Sequence, residues 1–316
     1  MSELSIELKA LLAERAELRA RIAQIPFDGS IEVKQNASGK YLYARSRVGG
    51  KNKSTYIGVY SEEAHTALLR QAIELRALKK SLRQVEKRLA ASGYEDTSLP
   101  SSVLLNADFA RANIKTLIYG QAVLEGVSTT FPQTEEILEN GIITGMRASD
   151  VQKILNLKHA WEFVLDRDVL SCPSDFAVLS RIASLVNEGF YEFGGSVRSV
   201  PVRIGGCSYV PPVPSELEVR ELLAQALGGL GDDADCEDAA LRVAIRLMRM
   251  QAFIDGNKRA AVIFSNHFLI AHGAGLLSIP EAEVQEFRSR LVAYYDSGDE
   301  DAMVAYMADT CMMRMA

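Results

Sequence analysis

The sequence predicts a mainly α-helical protein in two parts. A helical arm over residues 1–95 carries an inserted small basic β-sheet, a linker covers 96–106, and a helical domain covers 107–316. Three observations carry this prediction. Apolar residues recur at helical spacing through most of the chain. Between residues 31 and 60 that spacing gives way to alternation around a Gly-Gly turn. Residues 92–106 are rich in turn formers and lack periodicity, which places the boundary there.

Leu4, Leu8, Leu11, Leu12, Leu18 and Ile22 mark an amphipathic helix from Leu4 to Ile25, stopped by Pro26. A second runs from about Ser61 to Ala91 on Leu68, Leu69, Ile73, Leu75, Leu78, Leu82, Val85 and Leu89. Ser61 is its cap, although Ala64 stands where a capping box has an acid. Two such helices form either an antiparallel coiled-coil hairpin or a dimerisation arm, so a homodimer through them is one expectation. Between them, Tyr41–Arg47 and Ser54–Gly58 alternate like two strands joined by the turn from Gly49 to Lys53. Lys34, Lys40, Arg45, Arg47, Lys51 and Lys53, interleaved with Tyr41, Tyr43 and Tyr56, would form a basic face with stacking rings. That composition suits contact with DNA or RNA. The alternative is a solvated hairpin that packs on the helices.

In the second part, helices are expected near 107–124, 133–140, 149–166, 174–189, 216–228, 236–250, 258–273, 281–294 and 300–313. Residues 189–206 are the exception and alternate like an extended hairpin.

The content of 48% hydrophobic and 24% charged residues is that of a soluble globular protein. No apolar run reaches the roughly 18 residues that span a bilayer, so no membrane is expected. The N-terminus carries acids where a signal peptide carries bases, and Cys172, Cys207, Cys236 and Cys311 lie far apart with no CxxC pair. Both point to a cytoplasmic protein with reduced thiols. His65, His159, His267 and His272 are scattered and show no metal-ligand spacing. The net charge of -6 is unevenly divided: residues 1–100 hold 17 Lys and Arg against 12 Asp and Glu, a balance of +5, and the remainder carries -11. A basic front on an acidic body suggests separate jobs.

Residues 251–261, Gln-Ala-Phe-Ile-Asp-Gly-Asn-Lys-Arg-Ala-Ala, place a carboxylate, a Gly-Asn turn and two cations directly ahead of an apolar helix. Asp255 can hold a divalent cation, Gly256 lets backbone approach an anion, and the helix start offers free N–H groups to phosphate. Arg259 can clamp a phosphate bidentately. This run resembles the signature of the Fic/Doc (Fido) family, His-x-Phe-x-(Asp/Glu)-Gly-Asn-(Gly/Lys)-Arg, with Gln251 at the position of the histidine.

The resemblance implies a Fic-like helical domain with a β-hairpin flap. It also implies a pocket for ATP or another nucleotide formed by Phe253, Gly256, Asn257, Lys258 and Arg259, with Mg²⁺ or Mn²⁺ at Asp255. Members of the family transfer AMP, or in Doc-like members a phosphate, onto a target protein's hydroxyl, and the histidine is their base. Lys258 is the Doc-like choice. Gln251 can orient a hydroxyl but cannot take its proton, so impaired or altered catalysis is expected. The resemblance makes Gly195, Ser196, Val197 and Arg198 part of the flap, which docks a target protein by strand addition.

Gln121-Ala-Val-Leu-Glu125-Gly126 resembles the family's inhibitory segment, with Gln121 where Ser or Thr is usual. The usual arginine partner of the glutamate falls at Val262. Glu125 is therefore a relic, a partner of Arg259 itself, or an ordinary residue at a helix end, and Glu125→Gly is expected to change little. Three functions stay open: a working transferase, a nucleotide-binding pseudoenzyme or regulator of the bacterial toxin–antitoxin type, and a nucleic-acid-binding protein that uses the Fic-like part as a scaffold.

Overall fold

Pro26 cannot continue a helix, and α1 (Ile6–Gln24) ends two residues before it. The computed structural model describes residues 6–36, 38–48, 51–92, 94, 99–140, 145–228 and 236–315. The chain divides into two units, Met1–Asp96 and Thr97–Ala316. In the first unit, strands β1 (Ser30–Asn36), β2 (Gly39–Val48) and β3 (Lys51–Val59) form one antiparallel sheet in that order. The sheet leads into α2 (Glu62–Ala91), where the Ser61 hydroxyl accepts from the Ala64 N–H at 3.1 Å.

Leu11 and Leu12 of α1 meet Val85 and Leu89 of α2, with Leu8, Leu18 and Tyr94 packed against them. These apolar positions pair within one chain, while Leu69 and Ile73 of the α2 stripe are exposed. β1 lies outside the two expected strands, because Glu32, Lys34, Gln35 and Asn36 dilute its apolar alternation. Gly29 makes its close approach possible: a Cβ there would sit 2.0 Å from the Arg45 carbonyl oxygen.

The sheet register corrects the expectation of one basic face. Ser30, Glu32 and Lys34 pair with Arg45, Tyr43 and Tyr41, and Ser54 and Tyr56 pair with Arg45 and Tyr43, so these residues share a face. Lys40 and Lys53 pair with Gln35 and Ser46 and belong to the opposite face, that of the buried Leu42 and Ala44. The physical reason is the two-residue period of a strand, which sends residues an odd number apart to opposite sides. Gly49 and Gly50 and the side chains of Arg47 and Lys51 lie outside the described residues.

The second unit is mainly helical, as expected. Its helices are α3 (Ser101–Leu124), α4 (Phe131–Asn140), α5 (Ala148–Val164), α6 (Arg167–Leu170), α7 (Phe176–Val186), α8 (Glu216–Leu227), α9 (Cys236–Met250), α10 (Asn257–His272), α11 (Val284–Ser297) and α12 (Glu300–Thr310). α10 is its axis: Ala260 to Ile270 are buried without interruption, and α3, α5, α7 and α9 pack around it. A helix buried on every side has to be surrounded, and its polar Ser265, Asn266 and His267 are buried with it. α8 opens with a full capping box between Ser215 and Glu218. Among the described residues no helix is long and apolar enough to cross a membrane.

Three local expectations change. Residues 101–106, read as linker, are the first turns of α3, and Val103 and Asn106 are buried there. The pair β4 (Leu276–Leu277) and β5 (Met312–Met313) has two residues per strand, too few to show a period. Residues 189–206, expected as a paired hairpin, form turns and irregular chain with no strand. Arg198 explains the last change. Its guanidinium donates to the carbonyls of Val200 at 2.7 Å and Pro212 at 2.6 Å, and its own N–H donates to the Ala252 carbonyl at 2.9 Å. Bonds that a ladder would use run elsewhere, and Pro201 has no N–H to offer one.

Candidate active site

The α9–α10 connection carries the signature residues in a strained loop. Gln251 has φ 51°, the one described non-glycine residue at positive φ. A residue in the left-handed region costs of order 1–3 kcal/mol and needs its surroundings to hold it. Three bonds do so. The Gln251 amide donates to the Met248 carbonyl at 2.6 Å, its side-chain oxygen accepts from Asn257 Nδ2 at 3.2 Å, and its backbone carbonyl accepts from Arg198 Nε at 2.5 Å. Asn257 closes the loop further: Nδ2 donates to the Phe253 carbonyl at 2.8 Å, and Oδ1 accepts from the Phe253 N–H at 2.9 Å. Phe253 itself is buried and anchors the loop in the core.

Gly256 then caps α10 in the left-handed conformation, φ 72°, with no side chain bonded to the first turn. A Cβ there would press on Asn187 Oδ1 and Val186 Cγ2 at 3.0 Å, a tight fit added to the strain of the angle. The result is a helix start whose N-cap offers no side-chain bond to the first turn, with cations beside it, the arrangement that receives anions.

Those cations are already engaged. The Arg259 side chain is 2% exposed; its Nη1 donates to the Val186 carbonyl at 2.8 Å, and its Nη2 reaches Asp255 Oδ2 at 3.2 Å. Glu125, at the end of α3, lies 3.3 Å from Arg259 Nε and 3.4 Å from Lys258 Nζ. Of the three readings of Glu125, the structure has the one that pairs it with Arg259, and it adds Lys258. The expectation that the buried Val262 leaves Glu125 without a partner is corrected: the glutamate reaches the first arginine instead of one a helical turn on. Both contacts are longer than the roughly 2.7–2.9 Å of a good charged bond. Arg259 Nε and Glu125 Oε1 make no hydrogen bond among the described residues. Gln121 props this corner, accepting from Trp161 Nε1 at 2.8 Å.

On the flap, Gly195 packs against α7: a Cβ would lie 2.4 Å from the Ser180 carbonyl oxygen, and the Ser180 hydroxyl donates to Gly195 O at 2.8 Å. Gly195, Ser196, Val197 and Arg198 line an open cleft of about 530 Å³ with Phe176, Val213 and Glu216. Asn187, fully buried at the end of α7, escaped sequence reading. Its amide donates both to Gly194 O at 3.1 Å and to the Asp255 carbonyl at 2.9 Å, tying flap to signature. An asparagine ending a helix leaves no pattern that marks such a role.

Gln251, Phe253, Asp255, Gly256, Asn257, Lys258, Arg259, Glu125 and the flap thus converge within the second unit. Lys40, Arg45 and Lys53 belong to the first unit. Asn156 donates to the Glu188 carbonyl at 2.8 Å, and His159 is buried with Nδ1 3.2 Å from Glu188 Oε2. His267 is buried against Ser174 and the Val169 carbonyl, away from the position of Gln251, and burial holds its pKa below the ordinary histidine value.

Comparison with known proteins agrees with this geometry. The Fic/DOC family model matches residues 175–269, and a domain of unknown function, DUF6788, matches residues 1–66. Protein adenylyltransferase Fic of Drosophila willistoni is 24% identical over 236 residues, 71% of this chain and 46% of that protein, so the chain spans less than half of it. Fic-1 from C. elegans shares the fold at a TM-score of 0.52 and 20% identity, covering 78% of this chain and 75% of that one. A Fic-domain-containing signaling protein from Bacteroides thetaiotaomicron also has a TM-score of 0.52, at 17% identity over 71% of this chain and 91% of its own. From the cap of α7 to the inside of α10, residues 175–269 are similar to the Fic/DOC family, and the second unit has the fold of Fic proteins.

Proposed function

We propose that the second unit receives the phosphate chain of ATP or another nucleotide at the start of α10 and is of the AMP-transferring type, with catalysis slowed by Gln251. The observation that carries this reading is the left-handed Gly256 cap, which leaves the N-terminus of a buried helix without a side-chain cap beside Arg259 and Lys258. The name of the Drosophila relative, a protein adenylyltransferase, supports AMP transfer over phosphate transfer. Lys258 remains the feature that favours a Doc-like phosphate transfer.

The donor set fits a loosely held cation. Asp255 is 47% exposed at its side chain, and no group of three His, Cys, Asp or Glu able to hold a metal exists among the described residues. A lone carboxylate suits Mg²⁺ or Mn²⁺, which take the rest of their shell from phosphate oxygens and water. Bound there, the cation would supply positive charge for the phosphate oxygens. Arg259 can turn its guanidinium to phosphate only when Glu125 leaves it, which supports an inhibitory role for Glu125. A target protein segment would lie in the cleft along Gly195–Arg198 and present its hydroxyl near position 251. Gln251 can hold that hydroxyl but not deprotonate it, and a general base contributes about 10²- to 10⁴-fold. Both ends of its amide are engaged within the loop, which also favours a second reading, a nucleotide-binding regulator without turnover.

The test pairs calorimetry with transfer of label from α-labelled ATP, in Mg²⁺ or Mn²⁺, using the full chain and Gln251→His. Both proteins should bind nucleotide, and the variant should transfer about 10²- to 10⁴-fold faster. Transfer by neither supports the regulator. Absence of nucleotide binding by either at millimolar concentration refutes the reading.

A further inference from the structure

We infer that the first unit binds nucleic acid through the tyrosine face of its sheet and the basic side of α2. This inference stands apart from the nucleotide-transfer reading and does not rest on it. Between Ser30 and Val59 the sequence has six Lys and Arg and one acid, Glu32. Leu42 and Ala44 are buried on one face of the sheet, so the opposite face is the one left to solvent. That face gathers Lys34, Tyr41, Tyr43, Arg45 and Tyr56. The Tyr56 ring centroid lies 5.6 Å from that of Tyr43 and 6.1 Å from that of Tyr41, and Lys34 Nζ lies 4.6 Å above the Tyr43 ring. Tyr56 is 53% exposed, so its ring is open to a stacking partner. The one acid is occupied, with Glu32 accepting from the Ser54 hydroxyl at 3.1 Å and Lys34 3.7 Å away.

The charge continues onto the helix. A cleft of about 340 Å³ between the sheet end and α2 is lined by Asp28, Arg45, Arg76 and Lys79 among others, and Lys79 pairs with Asp28 at 2.5 Å. Beyond it, Arg76, Lys80, Arg83 and Lys87 are exposed at i, i+4, i+7 and i+11, on the side away from the buried Leu75, Leu78, Val85 and Leu89. Cations one helical turn, about 5.4 Å, apart form a line, not a pocket. A line of cations suits a polyanion, and exposed rings beside it suit bases and sugars, which an acidic peptide does not offer.

Fluorescence anisotropy on the full chain would use three labelled probes of one mixed sequence: duplex DNA, single-stranded DNA and single-stranded RNA. Binding should be seen in the range of about 1–100 μM and weaken steeply between about 50 and 200 mM salt. Replacing Arg45, Arg76, Lys80 and Arg83 together by alanine should cut affinity at least about tenfold and lower the salt slope by about 3 to 4, at about 0.9 per lost phosphate contact. Tyr56→Ala should weaken the single-stranded probes more than the duplex. Circular dichroism and melting confirm folding, and the exposed pair Lys80→Ala and Arg83→Ala repeats the test where the fourfold variant fails to fold. The probe bound most tightly identifies the form of nucleic acid. Three results each overturn the inference: no binding of any probe at 50 mM salt, unchanged affinity in a folded variant, or equal affinity for polyglutamate.

Discussion

Single residues in the second unit make the sharpest predictions, because buried charges there are few and their partners are named. Arg259→Ala should weaken nucleotide binding by about 1.5 to 3 kcal/mol, the range for a hydrogen bond to a charged group, measured by calorimetry. Glu125→Gly should act the other way, contrary to the small effect expected from Val262. It frees Arg259 and Lys258, which the glutamate meets at 3.3 and 3.4 Å, and should tighten nucleotide binding by about tenfold or more, on the scale of coupled charges at a shared site. Equal affinities would show that the contact does not compete with phosphate. Arg198 is buried, and the acceptors seen for its guanidinium are backbone carbonyls, of Gln251, Val200, Pro211 and Pro212. Arg198→Ala orphans them and should lower stability by about 2 to 4 kcal/mol in urea unfolding. Arg198→Lys should recover little of it, because an ammonium cannot copy the planar fork. The signature itself was legible as a string, since Asp255, Gly256 and Arg259 stand at fixed spacing around one helix start. The partner of Glu125 was not, because it depends on where α3 ends relative to α10.

Among the elements, helices were the legible part, as their apolar period is set by the same burial that stabilises them. α9 and α10 fall within a residue of where the sequence puts them. The flap was misread because the alternation of Val200, Val202 and Ile204 resembles a strand, yet Gly195 and Arg198 fasten the segment by its backbone. Gly195→Ala tests that fastening: its Cβ would sit 2.4 Å from the Ser180 carbonyl, so the flap must move off α7. The expected result is a loss of stability and faster amide exchange at residues 194–200, with little change at α12. β1 was missed for the opposite reason: its burial is partial, so it carries little apolar signal.

Across the second unit, one half-buried acid sets a pH dependence. Burial pushes the Glu162 carboxyl from near 4.5 up to about 7, with Lys158 pulling it partly back, and its Oε2 is buried without a hydrogen-bond partner among the described residues. The folded pKa lies above the unfolded one, so the folded state holds the extra proton between the two values. Stability therefore falls as pH rises from about 4.5 to 7, by up to about 3 kcal/mol. Glu162→Gln should melt at nearly the wild-type temperature at pH 4 and clearly higher at pH 8; parallel curves would refute the assignment.

The double duty of Asn187 has a mechanical consequence for this unit. One amide group grips both Gly194 and Asp255, residues far apart in the chain, and it has no slack. A displacement of the loop at Gly194 is therefore passed to the backbone of Asp255, so that under the proposed reading docking of a large molecule and alignment of a small one would become a single event.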